Sequence, residues 1–439
     1  MVDFKLSPAQ QEARRHAQAF ANTILTKAPA EYNAHKDQFS RFQATRPFYK
    51  EAVRAGLIKA QVPIPLGGTM EGLVHEAIIL EELFAVEPAT SLTIVATALG
   101  LMPLILSDSA DLQKKFLKPF ISGEGDPLAS LMHSEPGGTA NWLQKGGPGL
   151  QTTARKVGNE WIINGEKLWP SNSGGWDYKG ADLACVVVRI SDDPSKPQDP
   201  NVEPASQIAV LLVTRETIAN NKPEAYQVLG EPELAGQITA SGPHTRFTEF
   251  RVPQENLLCT PGLKAQGLIE QAFAMSAALV GAMAIGTARA AFEEALAFSK
   301  SDTRGGSRPI IEHQSVADKL IDCKIRLETS RLLVWKGVTT LEDENLEWKV
   351  KLEMAMQTKI YTTDVAVECV IDAMKAVGMK AYAKDMSFPQ LLNDVMCYPL
   401  FDGGNIGLRR RQMQRVMALD DYEPWAATYG PSKIDKSRL

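Results

Sequence analysis

The stretch from Tyr398 to Gln414, YPLFDGGNIGLRRRQMQ, sets one acid, Asp402, among aromatic and apolar residues, with a Gly-Gly pair after it and three arginines beyond. Held in its ionised form, such a carboxylate is a basic group. Arg409 follows seven residues later. On a helix beginning near 405, that spacing is about two turns, so the guanidinium can project back and hold Asp402 ionised. Gly403 and Gly404 are positions where a ligand can approach the backbone closely. The plainer role for Asp402 is to cap the helix, and Asn405 is able to do that instead. Three adjacent arginines point in different directions, so at least one of them faces water.

Elsewhere the chain is poor in catalytic signatures. Its six histidines show no metal-ligand spacing, no G-x-S-x-G elbow occurs, and no G-x-G-x-x-G follows a strand and opens a helix. Metal-assisted hydrolysis, serine hydrolysis and Rossmann-type cofactor binding therefore lose ground, and no metal is expected. A formal charge of −5 without a long basic run argues against a nucleic-acid partner. Five scattered cysteines without Cys-x-x-Cys spacing suggest neither a disulfide framework nor a zinc site, and fit a reducing compartment. The amino terminus lacks the basic-then-apolar order of a secretory signal. The terminal Ser437-Arg438-Leu439 differs from the peroxisomal Ser-Lys-Leu address by one cationic swap, so the expected location is intracellular, cytoplasmic or peroxisomal.

The elements that must position Asp402 follow from periodicity. In 439 residues, 44% hydrophobic and 23% charged, there is material for two or three domains with a large core. Residues 1–125 read as a helical domain, opened by Ser7-Pro8-Ala9-Gln10: a Ser cap, Pro at the first helical position and Gln placed to close a capping box. Ala13, Ala17, Phe20, Ala21 and Ile24 then line one apolar face. Residues 126–254 change period: LASLMHS, TTARKV, WIING, ACVVVRI, IAVLLVT and TRFTEFRVP are short β-branched and aromatic runs divided by turns such as Gly158-Asn159. The proline-rich segment 191–206 reads as an exposed loop. Residues 255–439 return to helix, with Val316, Leu320, Cys323, Leu327 and Val334 as one stripe and 347–378 as a single long helix, which together suggest a four-helix bundle. Two uncharged stretches, 90–106 and 272–287, read as buried helices rather than membrane spans, the second being the bundle's central helix because its Ala, Gly and Ser residues let neighbours approach.

Four separated segments carry a resemblance that covers nearly the whole chain. LMHSEPGGTAN (131–141) resembles the flavin strand and loop of the acyl-CoA dehydrogenase superfamily, with its T/S-E-P-G core, and KLWPSNSG (167–174) is similar to that family's W-I-T/S-N segment. DTRGGSRPIIEHQ (302–314) resembles R-x-x-F-G-x-x-x-x-x-x-Q, one residue shorter and without the Phe, and YPLFDGGNIGLRR (398–410) resembles the catalytic Y-E-G-T turn. The resemblance implies an α+β multidomain fold: an N-terminal helical domain, a middle β-barrel-like domain and a C-terminal four-helix bundle. It also implies FAD, and a homo-oligomer, with a tetramer ahead of a dimer. Leu131, Met132, His133 and Ser134 would line the isoalloxazine, with Trp169 and Ser171 against it and Ser171 near N5. Arg304, His313 and Gln314 would reach the phosphates and adenine end. The family's Q-I-x-G-G-x-G motif is reduced here to MKAVGMK, which leaves Gly378 as its counterpart. Phe401, Gly403 and Gly404 would also border the cofactor.

The departures narrow the expected chemistry. Asp402 stands where the family commonly has Glu, which draws the base back by about one carbon–carbon bond, and Gly404 replaces a Thr. This combination resembles the branch of the family that oxidises primary and secondary nitroalkanes to aldehydes or ketones, releasing nitrite and hydrogen peroxide. A nitro group acidifies its α-hydrogen as a thioester does, so one carboxylate-plus-flavin apparatus serves both. The resemblance implies that Asp402 takes the α-proton, the carbanion adds to flavin N5, and O2 reoxidises the flavin. Arg409 would orient the base and Ser276 would fix its second oxygen. The partners expected are a small nitroalkane and O2, with no membrane. Two alternatives stay open: a dehydrogenase or oxidase of CoA thioesters, and a flavin-free helical interaction protein on the same fold.

Overall fold

The computed structural model describes residues 4–191, 193 and 198–431. The C-terminal Ser-Arg-Leu lies outside the described residues, as do positions 192 and 194–197 of the proline-rich segment.

The first helix, α1 (Pro8–Thr23), begins as the sequence requires. Ser7 Oγ accepts from the Gln10 amide at 3.1 Å, and Gln10 Oε1 accepts from the Ser7 amide at 2.9 Å, so each satisfies a backbone donor that the helix leaves over. Ala17, Phe20 and Ala21 on its apolar face are buried. After several short helices come α2 (Leu73–Phe84) and α3 (Pro88–Ile105). Helix α3 is long and apolar enough to cross a membrane, but 78% of it is buried inside the protein, as expected for a core helix.

Seven strands follow: β1 (Ala129–Met132), β2 (Thr153–Val157), β3 (Glu160–Lys167), β4 (Leu183–Ile190), β5 (Ile208–Thr214), β6 (Tyr226–Gly230) and β7 (His244–Pro253). They form one mixed sheet in the order β1-β4-β2-β3-β7-β6, with β5 also on β4. Strands β1 and β2 run parallel to β4, along residues 183–186 and 189–190 respectively, while β5 pairs antiparallel with β4 along 183–189. Strand β4 is consequently enclosed, which suits its continuous Val-rich run. Met132, Val186, Leu211, Trp161, Phe247 and Phe250 belong to its core cluster.

The remainder is helical: α4 (Leu263–Ser301), α5 (Gln314–Glu342), α6 (Trp348–Val377), α7 (Phe388–Met396) and α8 (Arg410–Met417). The predicted stripe on α5 is buried throughout. The small residues of α4 are needed for contact, because a Cβ on Gly281 would lie 2.7 Å from both Thr362 and Val334. The fold class is therefore α+β, with helices before and after a middle sheet, as expected from the sequence.

By compactness the chain makes two units, each drawn from separated stretches. One comprises residues 1–18, 72–86 and 274–439, and the other 19–71 and 87–273. In the first, helical unit, Glu81 and Glu82 on α2 are bound by Arg14, Arg289 and Arg331 at 2.7–2.8 Å. In the second, α3 packs directly on β1, where a Cβ on Gly100 would sit 2.3 Å from the Ser130 amide. Glycine at that point sets the depth of the strand that leads into Leu131–Ser134.

Candidate active site

Asp402 lies on a turn that few residues tolerate. Asp402, Gly403 and Gly404 have φ of +52°, +88° and +64°, a run of left-handed backbone at which glycine is at ease and Asp is among the better side-chain-bearing residues. Such strain, about 1–3 kcal/mol for a non-glycine residue, persists where surrounding contacts impose it. Here the imposing contact is Arg409. Residues Gly404–Arg409 form a π-helical turn, and its wide coil returns Arg409 toward the start of the loop. Arg409 Nε donates to the Asp402 carbonyl at 2.7 Å, Nη1 to Gln412 at 3.0 Å, and Nη2 stands 3.3 Å from Asp402 Oδ2. A Cβ on Gly403 would be 3.0 Å from Nε and 3.1 Å from Cζ, so the space over Gly403 belongs to the guanidinium and not to a ligand. A Cβ on Gly404 would meet the Pro399 carbonyl oxygen at 4.0 Å, an ordinary contact.

Both side chains are about 1% exposed, yet neither carboxylate oxygen of Asp402 accepts a hydrogen bond from the described residues. A dehydrated carboxylate with idle lone pairs, beside a fixed cation, is suited to receive a proton. Asp402 accordingly caps no helix, and neither does Asn405. The Asn405 side chain turns inward to α6, donating to Thr363 Oγ1 at 2.9 Å and Asp364 Oδ1 at 2.8 Å. The hydrogen bond expected from Ser276 to the second oxygen is likewise not formed. Ser276 sits half-buried on α4 in the same unit, while the carboxylate lies against the Arg409 fork. Phe401, half-buried, packs its ring 5.8 Å from that of Tyr398, whose hydroxyl is 2.7 Å from Thr287 Oγ1.

The sequence reading passed over the residue beneath this turn. Lys359 on α6 is 0% exposed and donates to the Tyr398 carbonyl at 3.2 Å and Asn405 Oδ1 at 3.1 Å. Burial pushes its ammonium down to about 8, with Asp402 opposing the shift and Arg409 adding to it. A signal was available, since Lys359 interrupts the row Met356, Thr363, Ala366, Val370 that faces the core.

Within the same unit, Arg304 and Gly378 meet. Arg304, with φ of +47°, sends Nη2 to the carbonyls of Ala376 and Val377 at 2.6 and 2.7 Å, closing the end of α6. Gly378, at φ +79° and ψ −151°, takes a conformation that side-chain-bearing residues avoid and lets the guanidinium lie against it. His313 is the N-cap position of α5 and Gln314 its first residue, both exposed.

The sheet unit gathers the other candidates. Leu131, Met132 and His133 are buried at the end of β1, and the Ser134 carbonyl accepts from the Leu168 amide at 3.0 Å. The His133 ring packs edge-on to Trp142 and Phe273. Beneath it lies a second residue pair that the sequence reading missed. Lys167 Nζ donates to the His133 carbonyl at 3.0 Å and to Glu135 Oε1 at 2.9 Å, both side chains being enclosed. Burial alone would raise the Glu135 carboxyl, but Lys167 and the amides of Gln151 and Thr152 hold it below its ordinary value. The loop beyond β3 is pinned as well. The Ser171 carbonyl accepts from Ser130 Oγ at 2.7 Å, and Asn172 Nδ2 donates to the Thr93 carbonyl at 3.1 Å. Trp169, at φ +80°, presents an indole that is 53% exposed from this fixed loop.

Comparison with known proteins identifies the family. Residues 7–124 match the N-terminal domain of acyl-CoA dehydrogenase, and 266–418 match its C-terminal domain. The nitroalkane oxidase of Fusarium oxysporum is 89% identical over 439 residues, spanning 100% of both chains. Two solved nitroalkane oxidase structures, each 89% identical, superpose at a TM-score of 0.97 over 98% of this chain and 100% of theirs. One is an active-site mutant D402N crystallised with 1-nitrooctane, the other an active-site mutant S276A crystallised with 1-nitrohexane. The chain belongs to the acyl-CoA dehydrogenase family and, within it, to the nitroalkane oxidases.

Proposed function

We propose that this chain is an FAD enzyme oxidising primary and secondary nitroalkanes to aldehydes or ketones, with release of nitrite and hydrogen peroxide, and that Asp402 is its base. The observation that carries the reading is the enclosed Asp402 carboxylate, which accepts no hydrogen bond from the described residues and lies beside the Arg409 fork. The α-hydrogen of a nitroalkane is acidic enough for a carboxylate to remove once both are dehydrated and aligned. Arg409 holds the base ionised and in place. Ser276 is assigned to the carboxylate's second oxygen once substrate is bound, in keeping with the relative in which its replacement is an active-site mutation.

The residues present fit FAD. A fixed, half-exposed indole at Trp169 is a surface on which a planar ring can stack. Leu131 to Ser134 and Ser171 are the sheet unit's candidates for bordering the ring, and Phe401 and Gly404 those of the helical unit. Arg304, His313, Gln314 and Gly378 would hold the phosphate and adenine end, His313 and Gln314 standing at the exposed start of α5. When bound, the flavin supplies the two-electron acceptor that O2 later restores. We assign the active form to a homo-oligomer.

The test is anaerobic mixing of the holoenzyme with nitroethane, with its preformed anion, and with butyryl-CoA, following the oxidised flavin absorbance. Nitroethane and its anion should bleach the flavin. Asp402→Asn should lose bleaching by neutral nitroethane, by about 10³-fold or more, and keep it with the anion, which needs no base. Bleaching of the native protein by butyryl-CoA alone, or full activity of the variant on neutral nitroethane, overturns the reading.

A further inference from the structure

Helix α6 turns Met356, Lys359, Thr363, Ala366 and Val370 toward the core at three- and four-residue steps, and all five are buried. Packing alone would place Met or Leu at the second position. An ammonium there is costly to enclose unless it is paired, and its two hydrogen-bond acceptors, the Tyr398 carbonyl and Asn405 Oδ1, are both neutral. Those acceptors bracket the base: Tyr398 lies four residues before Asp402 and Asn405 three after it. Each is fixed in turn, Tyr398 through Thr287 and Asn405 through Thr363 and Asp364.

We propose that Lys359 is a positioning residue for Asp402: its enclosed ammonium ties both ends of the catalytic turn and, with Arg409, supplies the positive field that keeps the unbonded carboxylate ionised. The inference rests on Asp402 being the base. The groups acting on this ammonium are Asp402 and Arg409 on the turn, Asp364 on α6 itself, and Cys397 after α7. Asp402 is the strongest of these charges on the ammonium, ahead of Asp364, which Arg410 engages at 3.5 Å.

The experiment is the pH profile of kcat/KM for nitroethane and, separately, for its preformed anion, in the native holoenzyme, Lys359→Met and Lys359→Arg. Removing a nearby cation makes a carboxylate easier to protonate, so the ascending limb for neutral nitroethane should move to higher pH in Lys359→Met. A displacement of roughly one pH unit, a tenfold loss at the foot of the limb, is expected. Turnover of the anion should stay within about threefold, since no proton is abstracted. Lys359→Arg should bring the limb back. An unmoved limb in Lys359→Met, or equal losses on both substrates, overturns the proposal. If the Met variant yields no holoenzyme, the Arg variant decides: a native limb with anion turnover retained supports the field, and a displaced limb overturns it. Should Asp402→Asn remain active on neutral nitroethane, the reading of the base itself fails; an inactive Asp402→Asn beside an unmoved limb defeats only the role of Lys359.

Discussion

Lys167 in the sheet unit and Lys359 in the helical unit are both fully enclosed, and they are satisfied in opposite ways. Lys167 is bonded to a carboxylate, and that carboxylate, Glu135, also accepts from two backbone amides. Its lone pairs are occupied, and its charge serves to lock the strand and loop from β1 to β3. Among the described residues Lys359 is bonded only to neutral oxygens, while the carboxylate near it, Asp402, accepts no hydrogen bond. A saturated carboxylate is a structural part; an unsaturated one is available to a proton. The same ingredients, an enclosed lysine and an enclosed acid, give rigidity in one unit and reactivity in the other according to whether the two touch.

The contrast is broken most forcefully at Lys167. Replacing it by Met leaves Glu135 ionised and buried without its counter-charge, which should cost about 3–5 kcal/mol in urea unfolding. FAD retention should weaken with it, because the His133 carbonyl loses its donor. Adding Glu135→Gln should recover part of the loss. A single variant as stable as the native protein would show that the pair holds nothing.

The second effect should be smaller and should fall on rate. Arg409→Lys keeps the charge but cannot at once donate to the Asp402 carbonyl, reach Gln412 and face Oδ2, as the planar fork does. A 10–100-fold fall in kcat/KM for nitroethane, about 1.4–2.7 kcal/mol, is expected with little change in the unfolding midpoint. Native turnover would mean that charge alone suffices and that the fork's geometry is idle.

How much of this was legible beforehand follows from range. Local signals were read correctly: the Ser7–Gln10 capping box, the buried row of α5, six of seven strands, and the return of Arg409 to Asp402. Strand β6 was missed because it is short, mostly solvent-facing and ends in glycine, so it lacks an apolar alternation. The interleaving of residues 72–86 with the C-terminal helices depends on ion pairs across 200 or more positions, such as Arg289 to Glu82 and Arg331 to Glu81, which no local period records. At the site, residue types were visible and conformations were not. Nothing in the order Phe-Asp-Gly-Gly announces that Arg409 fills the space over Gly403, or that Asp402, Trp169 and Arg304 share left-handed backbone. Lys359 was visible as a lysine in an apolar row, but its partners become apparent only when Tyr398 and Asn405 are folded onto it.

The smallest effect sharpens the comparison by asking whether Lys359 carries a charge at all. Its ammonium is held down to about 8 against an ordinary 10.5, burial being the main cause. Below pH 8 the folded and unfolded chains both bind this proton, and the folded state bears the full cost of enclosing it. Between about 8 and 10.5 the unfolded chain keeps the proton and the folded chain releases it, so stability from this site rises with pH across that window. Lys359→Met has no proton to release. The stability of the Met variant minus that of the native protein should therefore shrink between pH 8 and 9.5, by about 1–2 kcal/mol, in paired urea titrations. A flat difference would mean that no proton leaves Lys359 in this window. The contrast with Lys167 would then rest on hydrogen-bond geometry and not on a depressed ammonium.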